Sequence, residues 1–181
     1  MNGVLALSVN EVAERAKAAG IDNFVQYVRS LVNFEMIDRK LQSENPTRWT
    51  IERISSAKEN YIFFLAFTKI MKDVPIVPSV DLDDYWHAHI LDTRAYLKDT
   101  ILIFGEYLHH NPYFGMAGKE EEEDWKRAAT ESEQIWNAIF PTRLYVAEDG
   151  DLGPQRHCRA HCIPSGPYIA GCRHCKSHCV V

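Results

Sequence analysis

The sequence predicts an all-α protein: a single helical domain of five to six helices over residues 1–141, then an irregular Cys/His-rich extension over 142–181. Three observations predict it. Apolar residues recur at helical spacing through most of the first 140 positions, and period-two alternation is scarce. Past Pro141 the periodicity gives way to Pro, Gly, Cys and His. The length of 181 residues suits one well-buried domain and is short for two.

The helices read in order. Asn10 can cap a short amphipathic helix, EVAERAKAA, which Gly20 stops. Asp22 can cap a second helix running to about Gln42, with Phe24, Val25, Val28, Leu31, Val32 and Met36 at helical spacing. Ser43 to Pro46 breaks the chain. A third helix runs from about Trp49 to Lys72; its nearly continuous apolar run, Tyr61 to Met71, marks it as the central core helix. The segment Val74 to Pro78 forces an extended link. Ser79 can cap the next helix, about Leu82 to Lys98, and a shorter piece from Thr100 to His110 ends at Asn111-Pro112. A last amphipathic helix, about Lys119 to Phe140, carries Trp125, Ile135, Trp136 and Ile139, and Arg143 to Val146 is the one candidate strand.

Composition narrows the function classes. Hydrophobic residues at 46% and charged residues at 25% describe an ordinary globular chain. The formal net charge of -5 argues against a general nucleic-acid binder, which would be basic. No stretch reaches the roughly 18 apolar residues of a membrane span, and the N-terminal segment lacks the basic region of a signal peptide. The expectation is a cytoplasmic protein without membrane or nucleic-acid partners, its five cysteines reduced and available as ligands.

The extension carries the strongest chemical signal. It reads HCRAHC at 157–162 and HCKSHC at 174–179, an internal repeat, with Cys172 just ahead of the second copy. Thiolate is soft and imidazole borderline, a mixture suited to Zn(II), Cu(I) or an iron–sulfur centre. Cys158, Cys162, Cys175 and Cys179 form C-x3-C-x12-C-x3-C, and the intervening Pro164, Ser165, Gly166 and Pro167 favour a turn that brings the pairs together. His157, His161, His174 and His178 could replace some thiolates, and Cys172 with Cys175 offers a second chelating pair. The expected cofactor is a transition metal, Zn or Cu first and Fe as a third option. A zinc knuckle that only staples the terminus, or a tail of reactive thiols, accounts for the same residues. A thioredoxin-like redox role lacks its βαβ setting.

The other four histidines also cluster: His87 and His89 in DDYWHAHILDT, His109 and His110 in GEYLHHNPYFG. At about 100° per residue, His87 and His89 point to opposite sides of a helix. His89 shares the apolar face of Leu82, Tyr85, Trp86, Ile90 and Tyr96, whereas His87 lies with Asp83, Asp84 and Arg94. The expected second site groups His89 with His109 or His110, with Asp92 as ligand or orienter and Tyr96 nearby. Tyr85, Tyr96 or Tyr107 could lend a proton. The bland alternative makes His89 a buried histidine bonded to Asp92 or Tyr96, and His109 and His110 the cap of a helix C-terminus.

The stretch VPSVDLDDYWHAHILDTRAYLKDTILIFGEYLHHNPYFG resembles the core of the glycine-rich domain-containing protein-like family. The matching elements come in order: Asp81 or Asp83, Trp86-His87-Ala88-His89, Asp92-Thr93, Tyr96, Phe104-Gly105 and His109-His110-Asn111-Pro112. The resemblance covers about residues 50–140. It implies that His87 and His89 act together, against the helical projection, and brings no defined activity.

Four readings remain open from the residues: a metal-binding protein that stores, senses or transfers Zn or Cu; a metal-dependent enzyme, with oxidative chemistry among its options, built on the His87, His89, His109 and His110 cluster; a helical module that binds another protein and is stapled by zinc; and a tail that is itself a substrate for modification. The helical domain has no cysteine, which removes thiol catalysis there.

Overall fold

A computed structural model describes residues 7–111, 113–114 and 118–145. Those residues form seven helices and no strand: α1 (Val9–Ala18), α2 (Ile21–Leu31), α3 (Glu35–Glu44), α4 (Ile51–Ile70), α5 (Val80–Leu91), α6 (Thr93–Phe104) and α7 (Lys119–Ile139). The all-α expectation holds. Arg143 to Tyr145 is not a strand, and Val146 lies outside the described residues. The Cys/His-rich extension also lies outside them, with Cys158, Cys162, Cys172, Cys175, Cys179, His157, His161, His174 and His178.

Local chemistry sets the helix ends. Ser8, not Asn10, caps α1: its hydroxyl accepts from the Glu11 N–H, and the Glu11 carboxylate accepts from the Ser8 N–H in return. Gly20, at φ 78°, turns the chain from α1 straight into α2, a left-handed position that glycine takes without steric cost. Thr50 and Ser79 cap α4 and α5 through their hydroxyls.

The count rises to seven because the expected helix 22–42 breaks in two; a second break, at Asp92, adds none, since the expected piece from Thr100 to His110 joins the end of 82–98 as α6 and is helical only to Phe104. The expected helix 22–42 splits after Leu31. Val32 turns extended, Asn33 accepts from the Glu35 N–H, and Phe34 drops into the core against Tyr61, Tyr85 and His89. Burying Phe34 requires the break, and it leaves Met36 67% exposed although its spacing suggested burial. The expected helix 82–98 splits at Asp92, whose ψ of 72° leaves the helical region while its carboxylate accepts from the Ala95 N–H. Periodicity persists across both breaks because each following helix resumes packing on the same core.

α4 is the core's axis. Asn60 to Phe67 are buried without interruption, and α2, α3, α5 and α6 pack around that stretch. α7 packs on α1 and sends Trp136 onto Phe63 and Phe140. The core runs past Pro141: Leu144 and Tyr145 are buried, and Asn60 Nδ2–H donates to the Arg143 carbonyl at 3.1 Å. The extended link before α5 is held at both backbone groups of Val77. Its N–H donates to Ser132 Oγ at 2.9 Å, and its carbonyl accepts from the Tyr145 hydroxyl at 2.8 Å. Arg53 grips Asp81 with two hydrogen bonds, and Arg48 pairs with Asp84, so the starts of α4 and α5 are tied together.

One buried polar group stands out in this core. His89 is 1% exposed and ringed by Phe34, Tyr61 and Tyr96. Its Nδ1 lies 2.9 Å from the Tyr61 hydroxyl. Its Nε2 faces the Asp99 carboxylate at 3.4 Å without the geometry of a hydrogen bond. Burial pushes the imidazole down to about 4, opposed only by the field of Asp92, and pushes Asp99 up. Both shifts disfavour charge, so the ring sits neutral and the Tyr61 O–H can donate to Nδ1.

Two outcomes follow for stability. Phe67→Ala empties a fully buried site on α4 and should lower the unfolding free energy by about 3–5 kcal/mol, read by denaturant titration. His89 has a folded-state value below its ordinary 6.5, so the unfolded chain binds the extra proton in acid. Its contribution is therefore complete above pH 6.5 and is lost as pH falls toward about 4. Titrating stability against pH in wild type and His89→Gln should show the steeper fall in wild type; equal slopes would mean that His89 carries none of it. Asp99, shifted upward, acts with opposite sign and is common to both proteins.

Candidate metal centre

α5 carries two chemistries on two faces. Leu82, Tyr85, Trp86 and His89 point into the core. Asp83 and His87, one helical turn apart, share the adjoining face, and His87 Nδ1 lies 3.7 Å from Asp83 Oδ2. A third group arrives from the irregular segment after α6. His110 Nε2 lies 3.1 Å from Asp83 Oδ1, and its ring meets that of His87 at 4.7 Å.

One ligand atom from each of Asp83, His87 and His110 lies within 4.8 Å of the others, a set that could hold a metal ion. The donors fit such an ion. Ligand bonds near 2.0–2.1 Å put the ligand atoms of a tetrahedral centre about 3.3 Å apart; His110 Nε2 lies 3.1 Å from Asp83 Oδ1, and His87 Nδ1 lies 3.7 Å from the other carboxylate oxygen, Oδ2. Two imidazoles and a carboxylate suit Zn(II) or Fe(II) better than Cu(I). Asp83 and His110 are largely enclosed, with side chains 8% and 14% exposed, whereas His87 is 34% exposed, so the set opens to solvent on the His87 side.

The route that brings His110 here is specific. Gly105, at φ 79°, ends α6 in a left-handed turn. Within α6, Tyr96 is fully buried; its hydroxyl accepts from Trp86 Nε1–H at 2.9 Å and donates to the Leu108 carbonyl at 2.6 Å. The Trp86 ring then stands edge-on to His110 at 4.5 Å. Burial pushes the Tyr96 phenol up to about 12, so it keeps the proton it donates.

The expected grouping is thus rearranged. His87 and His110 come together, joined by Asp83, which shares a helical face with His87 and is not among the expected ligands. Its signal was the four-residue spacing to His87. His89 stays on the core face and does not join His87, as the helical projection required and contrary to what the resemblance implied. His109 is exposed against Tyr107, at 4.9 Å between rings. Asp92 is an exposed helix cap and orients no histidine by hydrogen bond among the described residues. Tyr96 lies behind the site as its anchor, while the Tyr85 hydroxyl is committed to Asp38 at 2.6 Å.

No curated protein and no solved structure matches the chain. A family model does, and it corrects the expected likeness: it is UCP032817-like, and nothing indicates a glycine-rich domain-containing family. The residues behind that likeness, Val77 to Gly115, all lie inside the matched span, so a short ordered set of motifs pointed to the wrong family. The match covers residues 23–147, from α2 through the end of the packed core, and the chain belongs to the UCP032817-like family.

Proposed function

We propose that this protein binds a transition metal in its helical body, at Asp83, His87 and His110, and that the Cys/His-rich extension is a second, softer ligand store. The observation that carries the reading is the convergence of three ligand atoms from two separate chain segments within 4.8 Å. A carboxylate beside two imidazoles supplies the negative charge that offsets a divalent cation, and Asp83 is well enough enclosed for that charge to count. Zn(II) is the first candidate for this set and Fe(II) the second. Cu(I) fits the thiolates of the extension instead. Those thiols need a reducing compartment, such as the cytoplasm, to serve as ligands. No helix among the described residues is long and apolar enough to cross a membrane.

A metal-dependent enzyme is the second reading, favoured by the solvent-facing side of His87. Three protein ligands with an open side are the arrangement of catalytic rather than structural zinc, and a metal there would supply Lewis acidity. Asp83 and His110 would hold it from within, and His87 from the rim.

Elemental mass spectrometry of the intact chain tests the proposal against two variants: the double substitution Asp83→Asn with His110→Ala, and the chain with its five cysteines changed to serine. The expected result is loss of about one metal equivalent in the first variant and its retention in the second. Unchanged metal content in the first would reduce the trio to an ordinary hydrogen-bonded cluster.

A further inference from the structure

We propose that Tyr96 is a positioning residue for the metal centre: by bridging Trp86 to the Leu108 carbonyl, its hydroxyl sets where His110 meets Asp83 and His87. The inference rests on the metal reading above and extends it to the residue that assembles the site.

The need for such a device comes from topology. Asp83 and His87 sit on one rigid helix, so their spacing is set by helical geometry. His110 has no such support, because residues 107–111 are irregular. Something must fix that segment against α5, and the Tyr96 hydroxyl does so two residues before His110. It uses its donor on Leu108 and accepts from Trp86, at 2.6 and 2.9 Å, inside the core. The bridge has a second effect. Trp86 neighbours His87 in sequence, and its indole, held by the Tyr96 hydroxyl, is the wall against which His110 stands at 4.5 Å. One phenol therefore restrains both the backbone that delivers the third ligand and the ring that limits its rotation. Tyr107 packs on the Tyr96 ring at 5.1 Å and closes the segment from the other side.

Removing the hydroxyl while keeping the ring leaves the Trp86 N–H and the Leu108 carbonyl without this partner. The packing of α6 survives, but the third ligand is loosened. Groups that orient metal ligands typically change affinity by about 10–100-fold when lost.

The experiment is Tyr96→Phe in the intact chain, compared with Tyr145→Phe. The second variant deletes another phenol bond, from Tyr145 to the Val77 carbonyl at 2.8 Å, which holds the link before α5 rather than the segment that delivers His110. Co(II) is the probe: its visible absorption reports ligand geometry, and the signal removed by Asp83→Asn defines the body site. Tyr96→Phe should weaken that component at least tenfold and alter its spectrum, with Tyr145→Phe close to wild type. If both variants bind as wild type, or both lose affinity equally, positioning by Tyr96 is refuted. If Asp83→Asn removes no signal from the wild-type chain, the metal reading itself fails, and the role of Tyr96 in it falls as well.

Discussion

The structure depends on one stretch of α4 being buried on every side. Asn60 to Phe67 leave no face for solvent, so other helices must cover them: α2, α3, α5 and α6 pack on α4, and α7 adds Trp136 on Phe63. That constraint explains features that look separate. Phe34 is pulled inward at the cost of breaking a helix. The core extends past α7, where Leu144 and Tyr145 are buried in the same cluster. α5 is laid along α4 with its Tyr85, Trp86 and His89 face inward, which decides by elimination which residues of α5 face out.

The placement of His89 shows what such burial costs and how the cost is limited. A histidine at 1% exposure must be neutral, and a neutral ring needs one donor and one acceptor. Tyr61, itself in the buried stretch of α4, meets Nδ1, and Asp99 stands at longer range from Nε2. The group is a structural link between α4, α5 and α6. Its ring nitrogens face Tyr61 and Asp99, and it is not part of the Asp83, His87 and His110 group.

Outside that core, the chemistry is built by ordinary local devices used together. A helical turn pairs Asp83 with His87. A left-handed glycine ends α6 and frees the next segment. A tyrosine hydroxyl then pins that segment beside α5. None of these is unusual alone, and a helical face bearing an aspartate and a histidine is commonly just solvated. Their convergence within a few ångströms, with two of the three groups enclosed, is what separates this cluster from the exposed His109 and from the Asp92 cap.

Much of the fold was legible in the residues themselves, because burial leaves a periodic trace. The central helix, the Ser79 cap, the last amphipathic helix and the inward turn of His89 all follow from spacing at 3.6 residues per turn and from capping chemistry. The helix breaks at Val32 and Asp92 did not, since a periodic pattern looks the same whether a helix continues or restarts on the same core. The Asp83–His87 pair was legible as a spacing of four. That His110 rather than His109 completes it was not, because two adjacent histidines in an irregular segment carry no periodicity to tell them apart. Tertiary structure made that choice through a hydrogen bond between a side chain on α6 and a backbone carbonyl twelve residues later. A contact of that kind depends on how α5 and α6 sit on α4, which no local pattern encodes.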